Sequence, residues 1–213
     1  MATHRHPSGA APASGASART ERDRAKAERH NALLRGAARL FAANGFDGVS
    51  LEDLGATVGI TGPAVYRHFA SKRALLGAIL LRASDDLLAG GRRVLDGAAD
   101  AAAQLQGLVD FHVEFALADA DVIRVQDREL PHLSDDDRHR VRRLQREYVD
   151  LWIDVLQRLH PGRARDDLRV RAHAGFGLIN STPYSVRVLR DVPEDAEVHG
   201  ILADMAVAAL AAR

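Results

Sequence analysis

Apolar residues recur at helical spacing along most of the chain, and no strand-like alternation persists for any length. Leu33, Ala37, Leu40 and Phe41 share one face of a helix predicted from about Lys26 to Asn44, which Asn44-Gly45 closes. Ser50, with Asp53 three residues on, has the form of a capping box, and Leu51, Leu54 and Val58 follow on one face. Gly59 comes after the last apolar position, where helices commonly end in a left-handed turn. Thr61 can cap the next helix and Pro63 suits its first turn, while Val65 and Phe69, four apart, face the core. Ser71 then caps a long helix, about Lys72 to Leu95, with Leu75, Leu76, Ile79, Leu80 and Leu87 apolar.

The remainder predicts more helices with short breaks. Ala98 to Leu117 carries Leu105, Leu108, Val109, His112 and Phe115, and a short helix covers Val122 to Glu129. Pro131 breaks the chain. Ser134 and three aspartates then open a helix to about Leu159, the acids sitting at its positive end, with Val141, Leu144, Tyr148, Trp152, Val155 and Leu159 in period. Pro161-Gly162 turns into a helix from Asp166 to about Leu189, kinked where Asn180-Ser181-Thr182-Pro183 interrupts an apolar run. Glu194 to Ala212 is an Ala/Leu-rich final helix. The fold class is all-α: a basic tail over residues 1–24 expected to be disordered, a three-helix domain over 25–71 and a larger helical domain over 72–213.

The outward face of the second short helix changes the picture from fold to function. Tyr66, Arg67 and His68 point away from Val65 and Phe69, offering a phenol, a guanidinium and an imidazole that suit phosphates and base edges. Formal net charge is zero over 213 residues, but the segment from Arg19 to Gly77 holds ten Lys/Arg against six acids, a basic small domain beside an acidic larger one. An ordinary helical hairpin with a polar outer face would share both features.

The segment also carries a resemblance. Val58 to Phe69, followed by Ser71-Lys72-Arg73-Ala74-Leu75-Leu76 and preceded by Arg39 to Ser50, resembles the helix-turn-helix of TetR/AcrR-family transcriptional regulators, over roughly residues 27 to 77. The resemblance implies a DNA partner, with Ser50, Thr61, Tyr66, His68 and Lys72 on phosphates and Gly62, Pro63, Ala64 and Arg67 toward base edges. Arg67 is the candidate for guanine readout. It also implies a homodimer whose last two helices, Asp167–Leu189 and Glu197–Ala212, pair across a two-fold axis over a pseudo-palindromic operator, and a C-terminal domain that binds an effector.

For that effector the sequence offers apolar Phe111, Phe115, Trp152 and Phe176 beside polar Asn180, Thr182 and Tyr184, the composition of a small-ligand pocket. Arg142 and Arg146 belong to an arginine-rich stretch. As an anion site it points to the phosphates of an acyl-coenzyme A or another lipid-like effector; as a solvated, salt-bridged helix face it means nothing of the kind. The alternatives are an efflux-type repressor sensing hydrophobic drugs and a helical small-molecule protein that never touches DNA. No catalytic residue, cofactor or metal site is expected: cysteine is absent, no His pair has tight ligand spacing, and there is neither a nucleophile elbow nor a phosphate-binding Gly-rich loop. With no apolar run of spanning length and no secretory leader, no membrane partner is expected and the expected location is cytoplasmic.

Overall fold

A computed structural model describes residues 14–185 and 194–212, and every regular element among them is helical. The order is α1 (Ser14–Asn44), α2 (Leu51–Ala56), α3 (Gly62–Val65), α4 (Lys72–Gly97), α5 (Ala101–Ala118), α6 (Ala120–Glu129), α7 (Asp135–Leu159), α8 (Arg165–Ile179), α9 (Thr182–Ser185) and α10 (Asp195–Ala211), with a 3-10 turn at Leu130–His132. The expected all-α architecture holds. Three of the anticipated caps are made: Ser50, Ser71 and Ser134 each accept a hydrogen bond from the amide three residues on.

Two helices differ from the sequence pattern. α1 begins at Ser14, not Lys26, so residues 14–24 extend a helix instead of forming a tail. Arg, Glu, Ala and Lys dominate residues 19–29, and strong helix formers added to a nucleated helix cost little. The tail before Ser14 lies outside the described residues. α8 stops at Ile179 and does not run to Leu189. The amide of Asn180 and the hydroxyls of Ser181 and Thr182 cover the carbonyls of Phe176, Leu178 and Ile179, and Pro183 comes directly after. The rest of that expected helix, from residue 186, lies outside the described residues.

Two hydrophobic cores result. The first gathers Leu33, Ala37, Phe41, Phe46, Leu54, Val65 and Phe69 around Leu75, Leu76, Ile79 and Leu80, and also takes in Val125 of α6, Leu133 just after the 3-10 turn and Val141 of α7. The small N-terminal core therefore continues past residue 71 into α4 and leans on the larger domain. The second packs α5, α7, α8 and α10 around Trp152, Leu156, Leu168 and Ile179. Partly buried Leu81 of α4 touches both cores. No helix among the described residues is long and apolar enough to cross a membrane.

Candidate DNA-binding surface and effector cavity

The turn between α2 and α3 is built from glycines. Gly59 holds φ +69°, a left-handed conformation that costs L side chains but not glycine. Gly55 lets α2 approach the following strand of chain: a Cβ there would lie 2.5 Å from the Ile60 carbonyl oxygen. Ser50 begins α2 with both halves of a capping box. Its hydroxyl accepts from the Asp53 amide at 3.1 Å, and its own amide donates to Asp53 Oδ2 at 2.9 Å. The Ser50 hydroxyl also donates to Asp53 Oδ2 at 2.6 Å, and that bond, together with the one from the Ser50 amide, holds the Asp53 carboxyl below its ordinary range.

α3 is a short helix, Gly62–Val65, continued by turn hydrogen bonds from the amides of Arg67, His68 and Phe69. Val65 and Phe69 are buried in the first core. Thr61, Pro63, Tyr66, Arg67 and His68 are exposed, and Ala64 is half-buried. Thr61 occupies the N-cap position but makes no side-chain cap bond, which leaves its hydroxyl free for an outside acceptor. Beside this face the His30 ring stacks on Phe69 at 5.1 Å, and partial burial, His68 and Arg82 push its pKa down. The lowered pKa favours the neutral form of the stacked ring.

Two expected contacts sit differently. Gly62 is buried against α2, where a Cβ would be 3.0 Å from Glu52 Oε1, so it does not face outward. Lys72 does not extend toward solvent. Its ammonium donates to the carbonyls of Phe46 at 2.7 Å and Val49 at 2.9 Å and lies 4.5 Å from the Phe46 ring centre. It fastens the loop between α1 and α2 to the start of α4. Lys72→Met should therefore cost about 1–3 kcal/mol of stability, visible in urea denaturation. It should weaken DNA binding without changing the salt slope, because no phosphate contact is lost. A flattened salt slope at unchanged stability would restore Lys72 to the phosphate contacts.

The second site lies in the larger domain. α4, α5, α6, α7 and α8 border a half-open cavity of about 200 Å³ walled by Leu87, Phe115, Val122, Val149 and Phe176, with polar Gln126, Gln145, His173 and Asn180. His112 forms its buried floor. The His112 Nε2–H donates to Asn180 Oδ1 at 3.1 Å, and Nδ1 accepts from the Tyr148 hydroxyl at 3.2 Å, an assignment that follows from the partners. Burial drives the His112 pKa down to about 4, so the ring is neutral, and burial likewise raises the Tyr148 phenol. The amide nitrogen of Gln145 is buried and finds no hydrogen-bond partner among the described residues.

Of the effector residues expected from sequence, Phe115, Phe176 and Asn180 line this cavity. Arg142 and Arg146 line an adjoining groove with Asp150 and Arg169, and the groove shares Gln145, Val149 and His173 with the cavity. The other four lie elsewhere. The Phe111 ring sits over Gly90 of α4, where a Cβ would be 2.0 Å from its tip. Trp152 is wholly buried beneath the cavity, edge-on to Phe176 at 4.8 Å. The Thr182 hydroxyl is spent on the Ile179 carbonyl. Tyr184 is exposed and donates to Asp127. His112, Tyr148, Gln126, Gln145 and His173 were missed. His112 and Tyr148 sit at apolar-stripe spacing, where their polar atoms give no separate signal.

Residues 33–79 match the family model for bacterial regulatory proteins of the tetR family, and residues 98–184 match a tetracyclin repressor-like C-terminal domain. The HTH-type transcriptional repressor KstR2 of Rhodococcus jostii is 31% identical over 147 residues, which are 68% of this chain and 72% of that one. The chain belongs to the TetR family. As a TetR-family protein it is a DNA-binding transcriptional regulator with a helix-turn-helix, here α2 and α3. A TetR-family regulator from Bordetella parapertussis superposes with a TM-score of 0.74 at 27% identity, over 85% of this chain and 93% of that one. The TetR-fold protein AibR, solved with isovaleryl coenzyme A and operator DNA, gives 0.70 at 20% identity, over 84% and 96% of the two chains.

Proposed function

We propose that this TetR-family chain is a dimeric, cytoplasmic repressor that holds a pseudo-palindromic operator and releases it when a coenzyme A thioester enters the α4–α8 cavity. The observation that carries the effector assignment is the junction of an apolar cavity with an arginine-lined groove through Gln145, Val149 and His173. An apolar acyl group fits the first and an anionic coenzyme the second. AibR, with the same fold, was solved holding isovaleryl coenzyme A together with operator DNA, and KstR2 is a repressor. On the DNA side, Thr61, Tyr66 and His68 hold phosphates while Arg67 and Pro63 meet base edges.

Coupling follows from shared helices. Leu87 of α4 lines the cavity, and Leu75, Leu76 and Leu80 of the same helix lie in the first core. An effector releases the operator only by favouring the conformer that fits DNA less well. Dimerisation rests on exposed apolar side chains on α8 and α10, Val170, Ile201 and Met205, which self-association would cover. Sedimentation should give twice the 23.1 kDa chain mass at micromolar concentration.

The test is a mobility shift on the DNA upstream of the protein's own gene, followed by titration with acyl-coenzyme A, free fatty acid and cationic dyes. Release by acyl-coenzyme A alone, lost in Arg142→Ala/Arg146→Ala, is the expected result. Release by dyes with no effect of acyl-coenzyme A would move the protein to efflux control. Arg67→Ala should cost about 1–3 kcal/mol on the cognate site and little on unrelated DNA. An equal loss on both would show Arg67 contacting phosphate only.

A further inference from the structure

We infer, on the basis of the coenzyme A thioester reading above, that the acyl group is small, a branched chain or single ring of about five to seven carbons, and that Gln145 reads the thioester carbonyl. The size limit comes from the cavity. At about 200 Å³ it is only somewhat larger than the roughly 150 Å³ apolar cavity known to take benzene. Its floor does not give way easily. Trp152 is fully buried, and His112 is fixed at both ring nitrogens by Tyr148 and Asn180. Widening the cavity would break those bonds in a buried setting, which costs far more than a flexible apolar wall would. A sixteen-carbon chain exceeds that volume and would have to leave part of its length in solvent through the open side.

The carbonyl assignment comes from the place where cavity and groove meet. Gln145, on α7 between Arg142 and Arg146 on one side and Tyr148 and Val149 on the other, lines both spaces. Its amide nitrogen is buried and lacks an acceptor among the described residues. A buried donor without a partner carries a standing penalty that an incoming acceptor removes. A thioester that puts its acyl group in the cavity and its coenzyme in the groove passes this residue, and a rotation of the Gln145 side chain would present its buried amide to the carbonyl oxygen, an acceptor of the right kind. An apolar side chain at position 145 would line the passage equally well but could not distinguish a thioester from a thioether.

The test uses the full-length protein and the intrinsic fluorescence of its single tryptophan, Trp152, checked by calorimetry. The probes are isovaleryl-, cyclohexanecarbonyl- and palmitoyl-coenzyme A, free coenzyme A, and the thioether S-isopentyl-coenzyme A, which keeps the branched chain and lacks the carbonyl. Isovaleryl- and cyclohexanecarbonyl-coenzyme A should bind at least tenfold more tightly than palmitoyl-coenzyme A. Gln145→Leu should weaken the two thioesters about tenfold while leaving S-isopentyl-coenzyme A and free coenzyme A unchanged, and Gln145→Asn should recover part of the loss. Palmitoyl-coenzyme A binding as tightly as the short thioesters overturns the size limit. Equal weakening of thioester and thioether by Gln145→Leu overturns the carbonyl contact. Binding of none of these probes by the wild-type protein removes the coenzyme A reading itself, a different outcome from either.

Discussion

Replacing Trp152 with alanine lowers the unfolding free energy by about 3–5 kcal/mol, the range for deleting a large aromatic side chain from a close-packed core. The indole is wholly buried and stands against the rings of His112, Tyr148 and Phe176 at centroid distances of 5.9, 6.2 and 4.8 Å. Its neighbours cannot collapse into the gap, because His112 and Tyr148 are tied to each other. For a chain of this length the melting temperature should fall by about 6–20 °C. Circular dichroism is the appropriate probe, since the substitution removes the only tryptophan. A loss below about 1 kcal/mol would mean that the second core packs less tightly around α7 than these ring distances imply.

His112 sets the second large effect. Its folded-state pKa, about 4, lies below the ordinary 6.5, because burial disfavours the charged ring. The unfolded chain therefore takes up a proton near pH 6.5 that the folded chain refuses until pH 4. Stability from this residue is intact above pH 6.5 and declines as the pH falls toward 4, by about 3 kcal/mol over that window. Carboxylates also titrate at its lower end, so the comparison is with His112→Gln. The glutamine can keep a partner for Asn180 or Tyr148 but has no proton to gain. Urea midpoints measured from pH 7 to pH 4 should fall more steeply for the wild type than for the variant. Parallel slopes would show that His112 is charged in the folded protein, which would require an acidic partner that the cavity does not present.

The helix-turn-helix was legible because its information is local. The capping box at Ser50 and Asp53, the stop at Gly59 and the spacing of Val65 and Phe69 each lie within a few residues of what they determine. Lys72 was not. No sequence rule says that the carbonyls of Phe46 and Val49 converge on the start of α4, and an unpaired lysine beside a DNA-reading helix is more simply taken as a phosphate contact. The same limit governs the cavity. Phe115, Phe176 and Asn180 were found by composition, whereas Phe111 and Trp152, of equal apolar character, turned into packing. Which side of a helix faces a void depends on how five helices meet, and the chain encodes that only collectively. The end of α8 lay between these cases. Pro183 announced an interruption, and the three hydrogen bonds that cover the end of α8 place it at Asn180–Ser181, after which α9 starts at Thr182.

α4 is a single uninterrupted helix of 26 residues, about 39 Å long at the standard rise, anchored to the α1–α2 loop through Lys72 at one end and seated under Phe111 at Gly90 near the other. Such a rod acts as a lever. A tilt of about 3° around its far end carries the near end through about 2 Å, whereas a donor–acceptor contact is lost within a few tenths of an ångström beyond its normal range. A displacement of that size would be large on the scale of the contacts proposed between α3 and DNA. The length of this helix sets the gain of the device.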